Sequence, residues 1–272
     1  MVETGHLPRI FYALNESGLI LHPLLTLRNF PALIGLRNGK NSVPMFNLNK
    51  KIIHLTIVSV LLGLTAGCNL AAHRQNRIGR ESFESGQVAQ AINRFQRALN
   101  LNPSSSDAYY NLGSTYYQLG KQSQNQQWVT QAEQLFRQSI TLNDQHVDSH
   151  RSLAALLVET DREQFAFDLV DDWRKRYPQS AEPLIEIARL YQEYGDNRRA
   201  TDFLSDAVRL ESQNVRALAA LGHVREAQGQ LNLALENYNR ALQIDGTQVQ
   251  VAQRVQQIAT RLAQQPTNQL QR

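Results

Sequence analysis

Ala132, Ala166, Ala200 and Ala234 stand 34 residues apart, and this fixed interval constrains the fold more than any other feature of the chain. A second series keeps the same step: Asp161, Gly195 and Gly229, with Gly86 and Gly120 ahead of them, suit tight turns between helices. Small residues such as Ala91, Gly113, Ala132 and Ala166 let two helix axes approach closely. Leu112, Tyr116 and Phe136 supply the bulk that fills the gaps between them. Each unit therefore reads as two antiparallel helices. One such pair cannot bury its apolar face alone, so the pairs must stack. Five units of 34 residues and one seven-residue insertion account for the 177 residues from Ala72 to Gln248. The units run over 72–105, 106–146, 147–180, 181–214 and 215–248. Beyond them Val251, Val255, Ile258 and Leu262 recur at helical spacing, which predicts an amphipathic capping helix over 249–263. The polar tail 264–272 contains Pro266 and is expected to be disordered.

The second unit carries Tyr109-x2-Leu112-Gly113-x2-Tyr116, and the first carries Ala91, Phe95, Ala98 and Pro103. The fifth adds Leu221-Gly222, Ala234, Tyr238 and Ala241. These motifs resemble the tetratricopeptide repeat (TPR). The resemblance implies an all-α, right-handed α-solenoid of about five helix hairpins plus a C-terminal capping helix. Ser82 and Arg225 depart from it where an aromatic is usual, as does Trp173 where a small residue is usual. It further implies a groove lined by the first helix of each unit. Projected onto this chain, the groove residues are Arg80, Phe83, Tyr110, Tyr117, Arg151, Arg189, Gln192 and His223, with Ser114, Val158, Ile185 and Glu226 beside them. Arg80, Arg151 and Arg189 are expected to pair with carboxylates of a bound peptide or helix. A chaperone-tail carboxylate clamp is not expected, because it needs Lys and Asn on one unit, Asn on the next, and Lys and Arg on a third, and those places hold Asn76, Arg80, Asn111, Asp148 and Ser152. The insertion near Lys121–Gln131 is expected to lengthen the second helix of its unit by about two turns. Trp128, four residues before Ala132, would continue that helix's buried stripe, packing on the neighbouring repeat or protruding as a docking anchor.

Ahead of the repeats, Lys50-Lys51 precede the apolar run Ile52–Leu64 and then Thr65-Ala66-Gly67-Cys68. Basic residues, a short apolar stretch and small residues make the layout of a secretory signal, and the run is short for a membrane span. The ending resembles the lipobox of bacterial lipoproteins, with Thr65 where leucine is commonest. It implies cleavage after Gly67 and lipidation of Cys68, the single cysteine. On this reading 45–67 are the signal peptide, 68–71 the lipid anchor with a short linker, and 1–44 a mis-assigned extension ahead of a true start at Met45. Asn69 favours the outer membrane over the inner.

Residues 1–68 hold six basic and two acidic groups, which is the whole formal net charge of +4, and the remainder is balanced at 22 of each. With no basic stripe and no interleaved aromatics, a nucleic-acid partner is not expected. Asp144, His146, Asp148 and His150 suggest a metal site by spacing. The repeat register instead puts His146 in a loop and His150 in a core slot, so neither a metal nor any other cofactor is expected. No nucleophile motif or phosphate-binding glycine loop appears. The expectation is a non-enzymatic interaction scaffold, tethered to a bacterial envelope membrane and facing the periplasm, resembling envelope-assembly adaptors such as pilus pilotins. A structural or self-oligomerising TPR module, or an accessory subunit of an enzyme, remains the alternative.

Overall fold

The computed structural model describes residues 50–264, and their side chains from residue 67 onward. The expected extension 1–44, the start of the signal segment and residues 265–272 of the tail lie outside the described residues. Those described form eleven helices and no strand. They are α1 (Lys50–Glu84), α2 (Val88–Leu101), α3 (Ser106–Ser123), α4 (Gln126–Leu142), α5 (Val147–Glu159), α6 (Glu163–Arg176), α7 (Glu182–Glu193), α8 (Asn197–Leu210), α9 (Val215–Ala227), α10 (Leu231–Ile244) and α11 (Val249–Gln264). Each helix packs on the next. In addition α1 meets α3, α3 meets α5 and α7 meets α9, while Arg151 of α5 reaches Glu186 of α7, so α1, α3, α5, α7 and α9 line one inner wall.

Two local rules build the hairpins. The first concerns the turn. Gly86, Gln124, Asp161, Gly195 and Gly229 each take a positive φ, between 52° and 77°, where the first helix of a pair reverses into the second. Glycine enters that region without penalty, whereas a Cβ is strained there. The second rule concerns the contact inside each pair. A Cβ added at Gly113 would lie 2.9 Å from the Phe136 ring, and one at Gly222 would lie 2.7 Å from the Tyr238 ring. Where the facing residue is aliphatic, as at Val170 and Leu204, the corresponding positions are Ala154 and Ala188, all fully buried. Bulk on one helix is thus matched by its absence on the other. The third pair moves its bulk elsewhere: Trp173 is buried and stacks on His150 with ring centroids 4.2 Å apart. The smaller Val170 leaves room for it.

The insertion differs from expectation. It lengthens both helices of its pair, α3 to 18 residues and α4 to 17, against 13 and 14 in the next pair. Gly120 accordingly lies buried inside α3 against Val129, not in the turn, and Gln124 makes the reversal instead. Val129, Ala132, Phe136 and Ser139 form the buried stripe of α4. Trp128 lies beside it, half-buried, and stacks on Tyr116 of its own hairpin at 4.9 Å. The first turn of α4 carries Trp128 onto the Tyr116 ring, so its stacking partner lies in its own pair of helices.

Side-chain caps settle the starts of several helices. Ser105 accepts from the Ala108 N–H, Asn125 from Gln127, Asp196 from Arg199 and Asn214 from Ala217. Residues 68–71, expected as a linker, are helical and run on into the first repeat helix within α1. Among the described side chains of α1, the first to be buried is Ala72, while 67–70 are exposed. No helix among the described residues is long and apolar enough to cross a membrane.

Candidate functional site

The inner wall is not uniform along its length. At its N-terminal end a cleft of about 740 Å³ opens between α1, α3 and the start of α5. Leu70, His73, Arg77 and Arg80 line it from one face of α1, as their three- and four-residue spacing dictates. Arg74 borders the same cleft, and Tyr110 and Asp107 face it from α3. Asn111 Nδ2 donates to Asn76 Oδ1 at 2.9 Å and ties the two helices together. Arg77 is bound to Glu81 at 2.6 Å. Arg74 and Arg80 are exposed and form no hydrogen bond or ion pair among the described residues.

Asp107, His146 and Ser149 stand in a row that resembles a catalytic triad. The Ser149 N–H donates to His146 Nδ1 at 3.2 Å, which places the ring proton on Nε2, 3.1 Å from Asp107 Oδ1. Hydrogen bonding to His146 holds the Asp107 carboxyl below its ordinary range. The Ser149 hydroxyl lies 2.9 Å from Nδ1 and 2.7 Å from the Ser139 hydroxyl, but Ser149 is wholly buried. No substrate can approach it, and the row serves as the cap of α5. His150 is equally committed. Its Nε2 donates to the Asp144 carbonyl at 3.0 Å, and burial lowers its pKa to about 4. His146 and His150 thus each have a structural partner.

At the centre of the wall lies a carboxylate that the sequence reading missed. Glu186 is 1% exposed and receives three guanidiniums. Arg151 Nε and Arg216 Nη2 reach its Oε1 at 2.8 and 2.9 Å, and Arg189 Nε reaches its Oε2 at 2.9 Å. Arg151 also lies 3.3 Å from Asp148, Arg189 bonds Glu193, and Arg216 bonds Glu182. Burial by itself would raise the Glu186 carboxyl, but the charges of Arg151 and Arg189 outweigh it and hold the group below the ordinary range. Arg151 and Arg189, expected as anchors for a ligand's carboxylates, are therefore occupied from within. A signal was present: Glu186 interrupts the otherwise apolar stretch Pro183–Ala188 of α7, with Arg189 one turn further on.

The remaining projected residues divide between core and wall. Phe83 packs against Ala91 and Phe95, so it belongs partly to the core. Tyr117 meets the Phe136 ring edge-on at 6.3 Å, Lys121 sits over its face, and burial pushes its phenol up. Gln192 Nε2 lies 3.3 Å from His223 Nδ1, joining α7 to α9. His223 then borders a second cleft of about 600 Å³, with Tyr238 and, from α11, Arg254 and Gln257. Arg254 lies 3.5 Å from Glu226. Trp128 lies in the α3–α4 pair, outside the residues lining either cleft.

Comparison with known proteins identifies the units. Family profiles described as TPR repeat and tetratricopeptide repeat match residues 79–120 and residues 106–146 and 215–248, respectively. Tetratricopeptide repeats are thus matched over 79–146 and 215–248. Among solved structures, it is similar to a thermophilic TPR protein of Thermus thermophilus, with a TM-score of 0.54, 21% identity, and 70% of this chain and 100% of that one covered. A tetratricopeptide repeat protein of Parabacteroides merdae gives 0.54 at 17% identity, covering 77% of this chain and 80% of that one. Both share the all-helical repeat fold. Among curated proteins, a BBSome complex member BBS4 homolog of Drosophila melanogaster is 24% identical over 168 residues, 60% of this chain. The match spans only 35% of that relative's length.

Proposed function

We propose that this protein is a non-enzymatic scaffold that holds an extended peptide or helix of another protein along its inner wall. The carrying observation is that wall: α1, α3, α5, α7 and α9 follow one another along it, by helix contacts or the Arg151–Glu186 pair, and a cleft lies at each end, of about 740 and 600 Å³. Clefts of that size suit a few residues of an extended partner. Tetratricopeptide repeats generally mediate protein–protein contact, and the wall presents aromatic and basic groups of the kind that anchor interfaces.

The same proposal includes the tether. A lipid on Cys68 would fix the scaffold to a bacterial envelope membrane, facing the periplasm and favouring the outer membrane, as an adaptor in envelope protein assembly. Two features support it. Cys68 is exposed and free, and only three residues separate it from Ala72, the first buried side chain among those described in α1. Cleavage before Cys68 would thus leave the packed part of the first repeat helix whole.

A photo-crosslinking residue in place of Tyr110 or His223 is expected to capture the same partner band, and one in place of Arg97 on the outer helix α2 to capture none. Capture at Arg97 alone would overturn the inner-wall reading. Cys68→Ser is expected to abolish acyl labelling and release the folded protein from membranes. Retained label would end the tether.

A further inference from the structure

The basic groups of the inner wall fall into two electrical classes. Arg151, Arg189 and Arg216 share Glu186, Arg254 faces Glu226, and Lys121 bonds Glu159 at 2.9 Å. At the N-terminal cleft the guanidiniums of Arg74 and Arg80 line the wall exposed and, among the described residues, form no ion pair with a carboxylate. The two carboxylates that share their cleft are already engaged, Asp107 by His146 and Asp148 by Arg151. His73 borders the same cleft. Beside these lie Leu70, 75% exposed, and the half-buried ring of Tyr110.

We propose that this cleft selects an acidic segment of the partner, with Arg74 and Arg80 meeting its carboxylates and Leu70 and Tyr110 receiving an apolar side chain between them. The inference rests on the inner-wall reading and adds the chemistry of the guest. A guanidinium pairs with a carboxylate through two parallel N–H groups, so a free one favours Asp or Glu over a neutral side chain. The centre of the wall lacks this preference because its guanidiniums already hold Glu186. An acidic guest therefore docks at the first two hairpins and runs on over a wall that neither attracts nor repels it strongly.

The test uses the full chain and three fluorescein-labelled pentapeptides, Glu-Glu-Phe-Glu-Glu, Gln-Gln-Phe-Gln-Gln and Lys-Lys-Phe-Lys-Lys, read by fluorescence anisotropy. The acidic peptide is expected to bind best and to weaken as salt is raised. The double variant Arg74→Glu/Arg80→Glu is expected to weaken it by on the order of tenfold, while Arg97→Glu changes it little. Both arginines are exposed, so circular dichroism should show the double variant folded. Equal binding of all three peptides, or an equal loss with Arg97→Glu, would overturn the proposal. So would a double variant that loses affinity for phosphatidylglycerol vesicles while the acidic peptide binds unchanged, since that marks the patch as membrane-facing. If crosslinking at Tyr110 still captures a partner while the acidic peptide ignores the reversal, the guest's chemistry is wrong and the inner wall stands.

Discussion

Two stretches of one wall treat the same side chain in opposite ways. At the N-terminal cleft Arg74 and Arg80 stand in solvent with no carboxylate bound to them, whereas Arg151, Arg189 and Arg216 converge on one buried carboxylate. The difference teaches that an arginine at a groove position says little until its surroundings are known. In the centre the guanidiniums come from three successive repeats, α5, α7 and α9, and Glu186 joins all three. That arrangement holds neighbouring hairpins together at the wall, where the apolar core does not reach. At the N-terminal end α1 and α3 are joined by the neutral Asn76–Asn111 pair, which leaves the local charge available to a guest.

The sharpest way to break this contrast is to remove the central carboxylate. Glu186→Gln leaves three partly buried guanidiniums without their counter-charge and is expected to destabilise the fold by about 3 kcal/mol, read as a lowered urea midpoint. A loss under about 1 kcal/mol would mean that the cluster is a solvated surface network after all. The acid limb of stability should sharpen the same point. The folded Glu186 has a depressed pKa, so its contribution is fully present above the unfolded carboxyl pKa and is lost as pH falls through the lower folded value. Wild type and Glu186→Gln should therefore differ most near neutrality and converge under strongly acidic conditions. A gap that stays constant with pH would disprove the electrostatic account. The smallest effect belongs to the other region. Arg74→Ala with Arg80→Ala should alter stability by no more than about 0.5 kcal/mol, because exposed and unpaired side chains contribute little to the folded state. A larger loss would show that these residues hold the fold and are not free for a guest.

Much of the architecture was legible from spacing. The alanine series, the aromatics facing small residues, and the turn glycines all report on contacts within one 34-residue unit, where sequence distance and spatial distance run together. The misreadings had the same root. Gly120 kept the turn's place in sequence, but seven extra residues moved the turn to Gln124 by extending both helices. Helix lengths answer to how far two apolar faces can pair, and here Trp128 on Tyr116 and Val129 on Gly120 prolong the pairing.

Residue spacing by itself determined that this protein is a stack of helix pairs, because burial of an apolar stripe needs nothing beyond the local helical period and a neighbour like itself. Only the tertiary structure decided which charges are available. Glu186 meets Arg151 across 35 residues and Arg216 across 30, from adjacent repeats, and no periodicity within one unit records which side chains face each other between units.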